Sequence, residues 1–123
     1  MRNISFMLTM AQIRDRSKTV TRRDGWKILK AGDLLCAVEK SQGLGKGGKL
    51  TRIATIRVVN VRREPLKRMA ADPAYGKREA VLEGFPNMDG PEFCNFFMDS
   101  HKGVTPSTEI TRIEFEYVDG VPA

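Results

Sequence analysis

The chain is poor in the residues that most often carry chemistry. It has one histidine, His101, and two cysteines, Cys36 and Cys94, among 123 residues. A single histidine excludes a paired-histidine mechanism. These three residues are too scattered to form a metal-ligand cluster, so neither a metal nor another cofactor is expected. Both cysteines lie in apolar surroundings and read as reduced core residues. No apolar run approaches the roughly 20 residues needed to cross a bilayer. The first residues, Met1 to Phe6, carry no hydrophobic leader core. A cytoplasmic protein without a membrane partner is the expectation. Nothing in the sequence bears on oligomeric state. The composition, 41% hydrophobic and 29% charged, gives no sign of disorder. A chain of this length suffices for one domain, 1–123, with its own core.

What is present is positive charge, unevenly placed. Residues 1–68 hold 17 Lys/Arg and 5 Asp/Glu, whereas residues 69–123 hold 4 and 10. The overall charge of +6 therefore divides into a strongly basic half and an acidic half. A basic face of this kind suits a polyanion, with RNA or DNA the usual candidate.

Alternation and periodicity predict strands near 4–8, 33–39, 50–62 and 110–118. Helices are expected near 10–16, 77–83 and 90–101. Thr9 and Gln12 have capping-box spacing at the first helix. The apolar phase of the third strand slips by one residue between Val58 and Val59, which predicts a bulge. Pro65 is expected to open a helical turn through Met69. Asp72-Pro73 and Gly76 read as the bounds of a small loop containing Tyr75. Phe93, Phe96 and Phe97 form an apolar helix face and read as core. The order of elements implies an α+β architecture, a compact and mostly antiparallel barrel with helices outside.

The glycine-rich stretch 41–48 nearly spells a phosphate-binding loop. Leu50 stands where a Ser or Thr should reach magnesium, and a strand follows instead of a helix, so that reading fails. The stretch reads as a connector whose Lys46 and Lys49 are placed to contact a nucleic-acid backbone.

The densest chemistry lies in Ser17-Lys18-Thr19-Val20-Thr21-Arg22-Arg23. An amine three residues from a hydroxyl is a base and nucleophile pair if the turn brings them together. The same residues also serve as an ordinary phosphate-binding surface, with Arg22 and Arg23 on phosphates and Trp26 stacking on a base. Glu83 falls at the end of its helix, where a carboxylate opposes the macrodipole by roughly 0.3–1 kcal/mol. A residue placed against a local rule can mark a site.

Taken in order, Lys18-Thr19-Val20-Thr21-Arg22-Arg23, Gly32-Asp33, Val61-Arg62-Arg63-Glu64-Pro65-Leu66, Glu83-Gly84-Phe85 and Ile113-Glu114-Phe115 resemble the ASCH domain family across nearly the whole chain. The resemblance implies a small, mostly antiparallel PUA-like β-barrel with flanking helices and RNA-related work. One branch of that family removes the acetyl group of N4-acetylcytidine, using a lysine, a threonine three residues on and a distant glutamate. The matching positions are Lys18, Thr21 and Glu83. The implied ligand is RNA or a modified nucleoside, bound in a cleft. The chain departs from that branch at 41–48 and in a segment over 69–76. The alternative is a non-catalytic module for single-stranded RNA; a ribonuclease ranks third.

Overall fold

The computed structural model describes residues 1–40 and 50–120. The chain runs through β1 (Arg2–Ser5), α1 (Met10–Arg14), β2 (Val20–Arg23), β3 (Leu34–Val38), β4 (Arg52–Pro65), α2 (Arg68–Ala71), α3 (Pro73–Leu82), α4 (Gly90–Ser100) and β5 (Glu109–Val118). The architecture is α+β. Five strands form one curled, mixed sheet in the order β1-β3-β4-β5-β2, a half-barrel with the helices packed against it. Three of the strand pairings are antiparallel, and β1 runs parallel to β3. The first strand therefore begins and ends earlier than the alternation of Ile4, Phe6 and Leu8 predicts. The segment carrying Thr21 to Arg23 is a strand in its own right.

The expected bulge is present. The β4–β5 register shifts between Val58 and Asn60. Val58 is buried and Val59 is exposed, so the extra residue turns the apolar phase over. One core fills the half-barrel with Ile4, Phe6, Leu35, Ile56, Ile113 and Phe115. Another lies under the helices, with Leu66, Met69, Phe93 and Phe97 at its centre. Beyond the bulge, β4 and β5 carry Glu64 and Arg112 into buried positions, where they meet Glu79 and Tyr75 of α3.

Three local expectations are revised. Pro65 is the last residue of β4, and the helical turn expected through Met69 follows just after it, as α2. The 72–76 segment is the first turn of α3, not a loop. Asp72 caps it by accepting from the Tyr75 amide at 3.1 Å, and Pro73 occupies the first turn, where its missing N–H costs nothing. Thr9 makes no side-chain cap; Gln12 is drawn away to donate to the Gly84 carbonyl at 3.1 Å. The cap of α4 is complete: Asp89 accepts from the Glu92 amide at 2.9 Å, and Glu92 accepts from the Asp89 amide at 3.0 Å.

Helices α2, α3 and α4 meet through glycine. A methyl added to Gly76 would overlap the Met69 carbonyl oxygen and stand 2.8 Å from the Gly90 Cα. Those neighbours are backbone and cannot swing aside. Gly76→Ala is therefore expected to lower stability by about 3 kcal/mol, the upper end of typical overpacking costs. A thermal midpoint within a degree of wild type would contradict this packing.

Candidate functional site

Three consecutive carbonyls at the end of α3 are received by the segment from α1 to β2. The Thr19 amide donates to the Leu82 carbonyl at 2.9 Å. The Lys18 ammonium donates to the Glu83 carbonyl at 2.7 Å, and Gln12 holds that of Gly84. Gly84 has φ of +98°, and a side chain there would press into Gln12. The Lys18 backbone is fixed from the other side by the Tyr117 hydroxyl, which donates to its carbonyl at 2.6 Å. This docking brings together two stretches 65 residues apart.

Lys18 also donates to Glu83 Oε1 at 2.8 Å, and both side chains are only 3% exposed. The cation at the helix terminus offsets the unfavourable placement of the carboxylate. Arg22 Nη1 donates to Glu83 Oε2 at 3.1 Å, so each carboxylate oxygen has its own cation. Burial pushes the Lys18 amine below its ordinary value; Glu83 pulls it up, and Arg23 and Arg22 add to the lowering.

Arg22 is the hub of the buried polar layer. Besides Glu83, it donates to Glu79 at 2.6 Å, to Glu64 at 3.4 Å and to the Tyr75 hydroxyl at 3.2 Å. Arg112 forks onto both oxygens of Glu79. Burial works against the Arg22 charge, and Glu83, Glu79 and Glu64 outweigh it, holding the guanidinium above its ordinary value. Burial likewise raises Glu64 and Glu79, but Arg22, Arg112 and Arg62 win, and both carboxyls lie below the usual range. The sign follows: carboxyls depressed in the fold lend stability that is complete above about pH 4.5 and is lost as pH falls below it. Acid unfolding starting in that range is expected. A stability curve flat down to pH 3 would contradict it.

Lys18, Thr21 and Glu83 line one cavity of about 240 Å³. Thr21 and Arg23 alternate with Arg22 along β2, so the hydroxyl and the next guanidinium share a side. Arg23 Nε donates to Thr21 Oγ1 at 3.1 Å, and Arg23 Nη2 donates to the Ser5 carbonyl at 2.7 Å. The hydroxyl proton of Thr21 stays available to a base or ligand. Much of the remaining wall is aromatic: Phe6, Phe85, Phe96 and Phe97 line it, with His101 beside them and Met7, Leu8 and Thr9 adding to it. The α4 stripe predicted as core is buried at Phe93 and Phe97, and it also forms the cavity side.

The other sequence-predicted positions fall elsewhere. Arg22 borders the cavity, but its side chain is wholly buried and faces carboxylates. Trp26 is half-buried against the barrel core, with the Arg2 guanidinium 4.5 Å above its ring, and it does not line the cavity. Lys46 and Lys49 lie outside the described residues. Sequence reasoning missed Glu64, Glu79, Tyr75 and the cavity position of His101. For two of them a signal existed, because Tyr75, Glu79 and Glu83 repeat at helical spacing and mark one face of α3.

The fold has solved counterparts. The hypothetical protein PH0355 superimposes with a TM-score of 0.62 at 16% identity, over 95% of this chain and 96% of that one. Protein EF3133 of Enterococcus faecalis V583, assigned to DUF984, gives 0.61 at 15% identity, over 96% and 76%. An ASCH domain from Lactobacillus crispatus JV V101 gives 0.60 at 14% identity, over 94% and 78%. No protein-family profile and no curated protein matches the sequence. The chain thus has an ASCH-like fold, a PUA-like half-barrel with flanking helices. Among the described residues, no helix is long and apolar enough to cross a membrane, and no cluster of ligands for a metal ion is present.

Proposed function

We propose that this cavity binds an acylated cytidine or a closely related nucleoside and hydrolyses its amide. The observation that supports the reading is that Lys18, Thr21 and Glu83 line one cavity with an aromatic wall, with Lys18 bonded to Glu83. At about 240 Å³ the space is below the ~300–1,000 Å³ of drug-sized sites. It suits a single nucleoside better than a length of RNA. Rings of Phe85, Phe96 and Phe97 offer apolar faces to a planar heterocycle, and polar groups gather at the other wall.

In this mechanism Thr21 Oγ attacks the acyl carbon while Lys18 Nζ takes the hydroxyl proton. The tetrahedral oxyanion forms within reach of the Arg23 guanidinium. The C–N bond then breaks, Lys18 returns the proton to the departing amine, and water hydrolyses the acyl-threonine. Glu83 holds the lysine amine in place throughout. Burial supports the lysine as base, because it moves the amine towards neutrality. A second division of labour has Glu83 activating water directly while a charged Lys18 stabilises the oxyanion.

The pH dependence of kcat/KM for N4-acetylcytidine tests the lysine as base. With Lys18 as base, activity rises with pH through an inflection below the ordinary lysine value of 10.5. A profile without that inflection would speak against Lys18 as the base. The non-catalytic RNA-module reading draws on the basic half of the sequence. It predicts RNA binding that weakens steeply with salt and no nucleoside turnover.

A further inference from the structure

We propose that His101 reads the sugar of the bound nucleoside, accepting a hydrogen bond from a ribose hydroxyl at Nε2. This inference rests on the nucleoside reading of the cavity and extends it to the far end of the ligand.

The geometry starts at the acyl end. Phe85 follows Glu83 by two residues, and its ring centroid lies 6.2 Å from that of Phe93. Phe93 lies 6.2 Å from Phe97, and Phe97 lies 3.9 Å from His101. Phe85 also lies 4.9 Å from Phe96, so these rings form a connected aromatic wall from Phe85 across α4 to the imidazole. Phe93 and Phe97 are four residues apart on α4, and His101 follows the helix end with its ring stacked on Phe97. Phe85 meets Phe93 and Phe96, whereas the imidazole meets Phe97, and His101 and Glu83 both line the same cavity. A ligand with its amide at Lys18 and Glu83 reaches the imidazole only with its distal part. For a nucleoside, that part is the sugar.

The ring is also set for one hydrogen-bonding role. Its Nδ1 lies 3.0 Å from the Phe97 carbonyl, which only accepts, so Nδ1 carries the proton. In the neutral ring Nε2 is then an acceptor, and among the described residues it has no partner. The ring lies at 9° to that of Phe97, which fixes its plane. An immobilised acceptor in an apolar wall favours a ligand that brings a hydroxyl donor and disfavours one that leaves the nitrogen unmet. A purely structural role is the alternative, since the Nδ1 bond satisfies a carbonyl in the last turn of α4.

The two roles are separable. In His101→Asn, the amide keeps the short-range bond to the Phe97 carbonyl and loses the distal acceptor. In His101→Gln, an acceptor returns at the ε position. His101 is the only histidine, so the two imidazole nitrogen signals in the NMR spectrum of the wild-type chain belong to it without ambiguity. The ligands are N4-acetylcytidine and N4-acetylcytosine, which lacks the sugar. We expect the imidazole signals to shift with the nucleoside and stay in place with the base. Kd for the nucleoside should rise about tenfold in His101→Asn and recover in His101→Gln, with Kd for the base unchanged in both. Equal losses for base and nucleoside, or no difference between Asn and Gln, would overturn the inference. Shifts of the Thr21 and Arg23 amides with an unmoved imidazole would overturn it alone and leave the nucleoside reading standing. No shift anywhere in the cavity with either ligand would overturn both.

Discussion

Arg22→Met should be far less stable than wild type at neutral pH. The guanidinium is wholly buried and bridges Glu64, Glu79 and Glu83. Methionine fills similar space and removes the cation that the three carboxylates share. Breaking a buried ion pair costs about 3–5 kcal/mol, because the remaining charge stays buried without its partner. Total stabilities are only ~5–15 kcal/mol, so such a loss takes a large share. Lys18, Arg112 and Arg62 still hold one carboxylate each, which sets a limit on the damage. Arg22→Lys should recover part of the loss, since an ammonium supplies charge but cannot fork towards three acceptors. Urea unfolding of the three proteins is the measurement. Acid should also weaken Arg22→Met less steeply than wild type, because the Arg22 charge helps to depress Glu64 and Glu79. A variant within about 1 kcal/mol of wild type would show that the buried layer tolerates apolar replacement, as some buried ion networks do.

Thr21→Ala should abolish turnover and leave the fold intact. In the folded chain its side chain accepts one hydrogen bond, from Arg23. Losing that bond costs about 0.5–1.5 kcal/mol, which a folded domain survives. The chemical effect is far larger. Without the hydroxyl no acyl-enzyme forms, and a fall of at least about 10³-fold in kcat is expected. Thr21→Ser retains the nucleophile and should keep most of the activity. Lys18 is a less direct probe. Its removal leaves Glu83 buried with Arg22 as its one remaining ion-pair partner among the described residues, so activity and stability would fall together. If water is activated by Glu83, Thr21→Ala retains substantial activity and Glu83→Gln does not.

The sheet was legible wherever one face is buried. The alternation of Ile113, Phe115 and Tyr117 defines β5, and the slip at Val58 locates the bulge. The start of α3 was legible in principle, since Asp72-Pro73 is an N-cap followed by a first-turn proline. Tyr75 and Gly76 beyond it resembled turn residues and hid the helix. The buried polar layer was not legible. Glu64 lies on β4 and Glu79 on a helix with little apolar patterning, and both are buried only because Arg22 and Arg112 arrive from other strands. The pairing of Lys18 with Glu83 spans 65 residues and leaves no local periodic trace. Family resemblance brought those two residues together, and the sheet and α3 supply the physical means.

The most direct test of the catalytic reading is incubation of wild type and Thr21→Ala with N4-acetylcytidine, with products read by mass spectrometry and folding of each checked by thermal melting. The account predicts cytidine and acetate from wild type, and neither above background from a folded Thr21→Ala. Intact N4-acetylcytidine after prolonged incubation with folded wild-type protein, or equal product from both proteins, would contradict it.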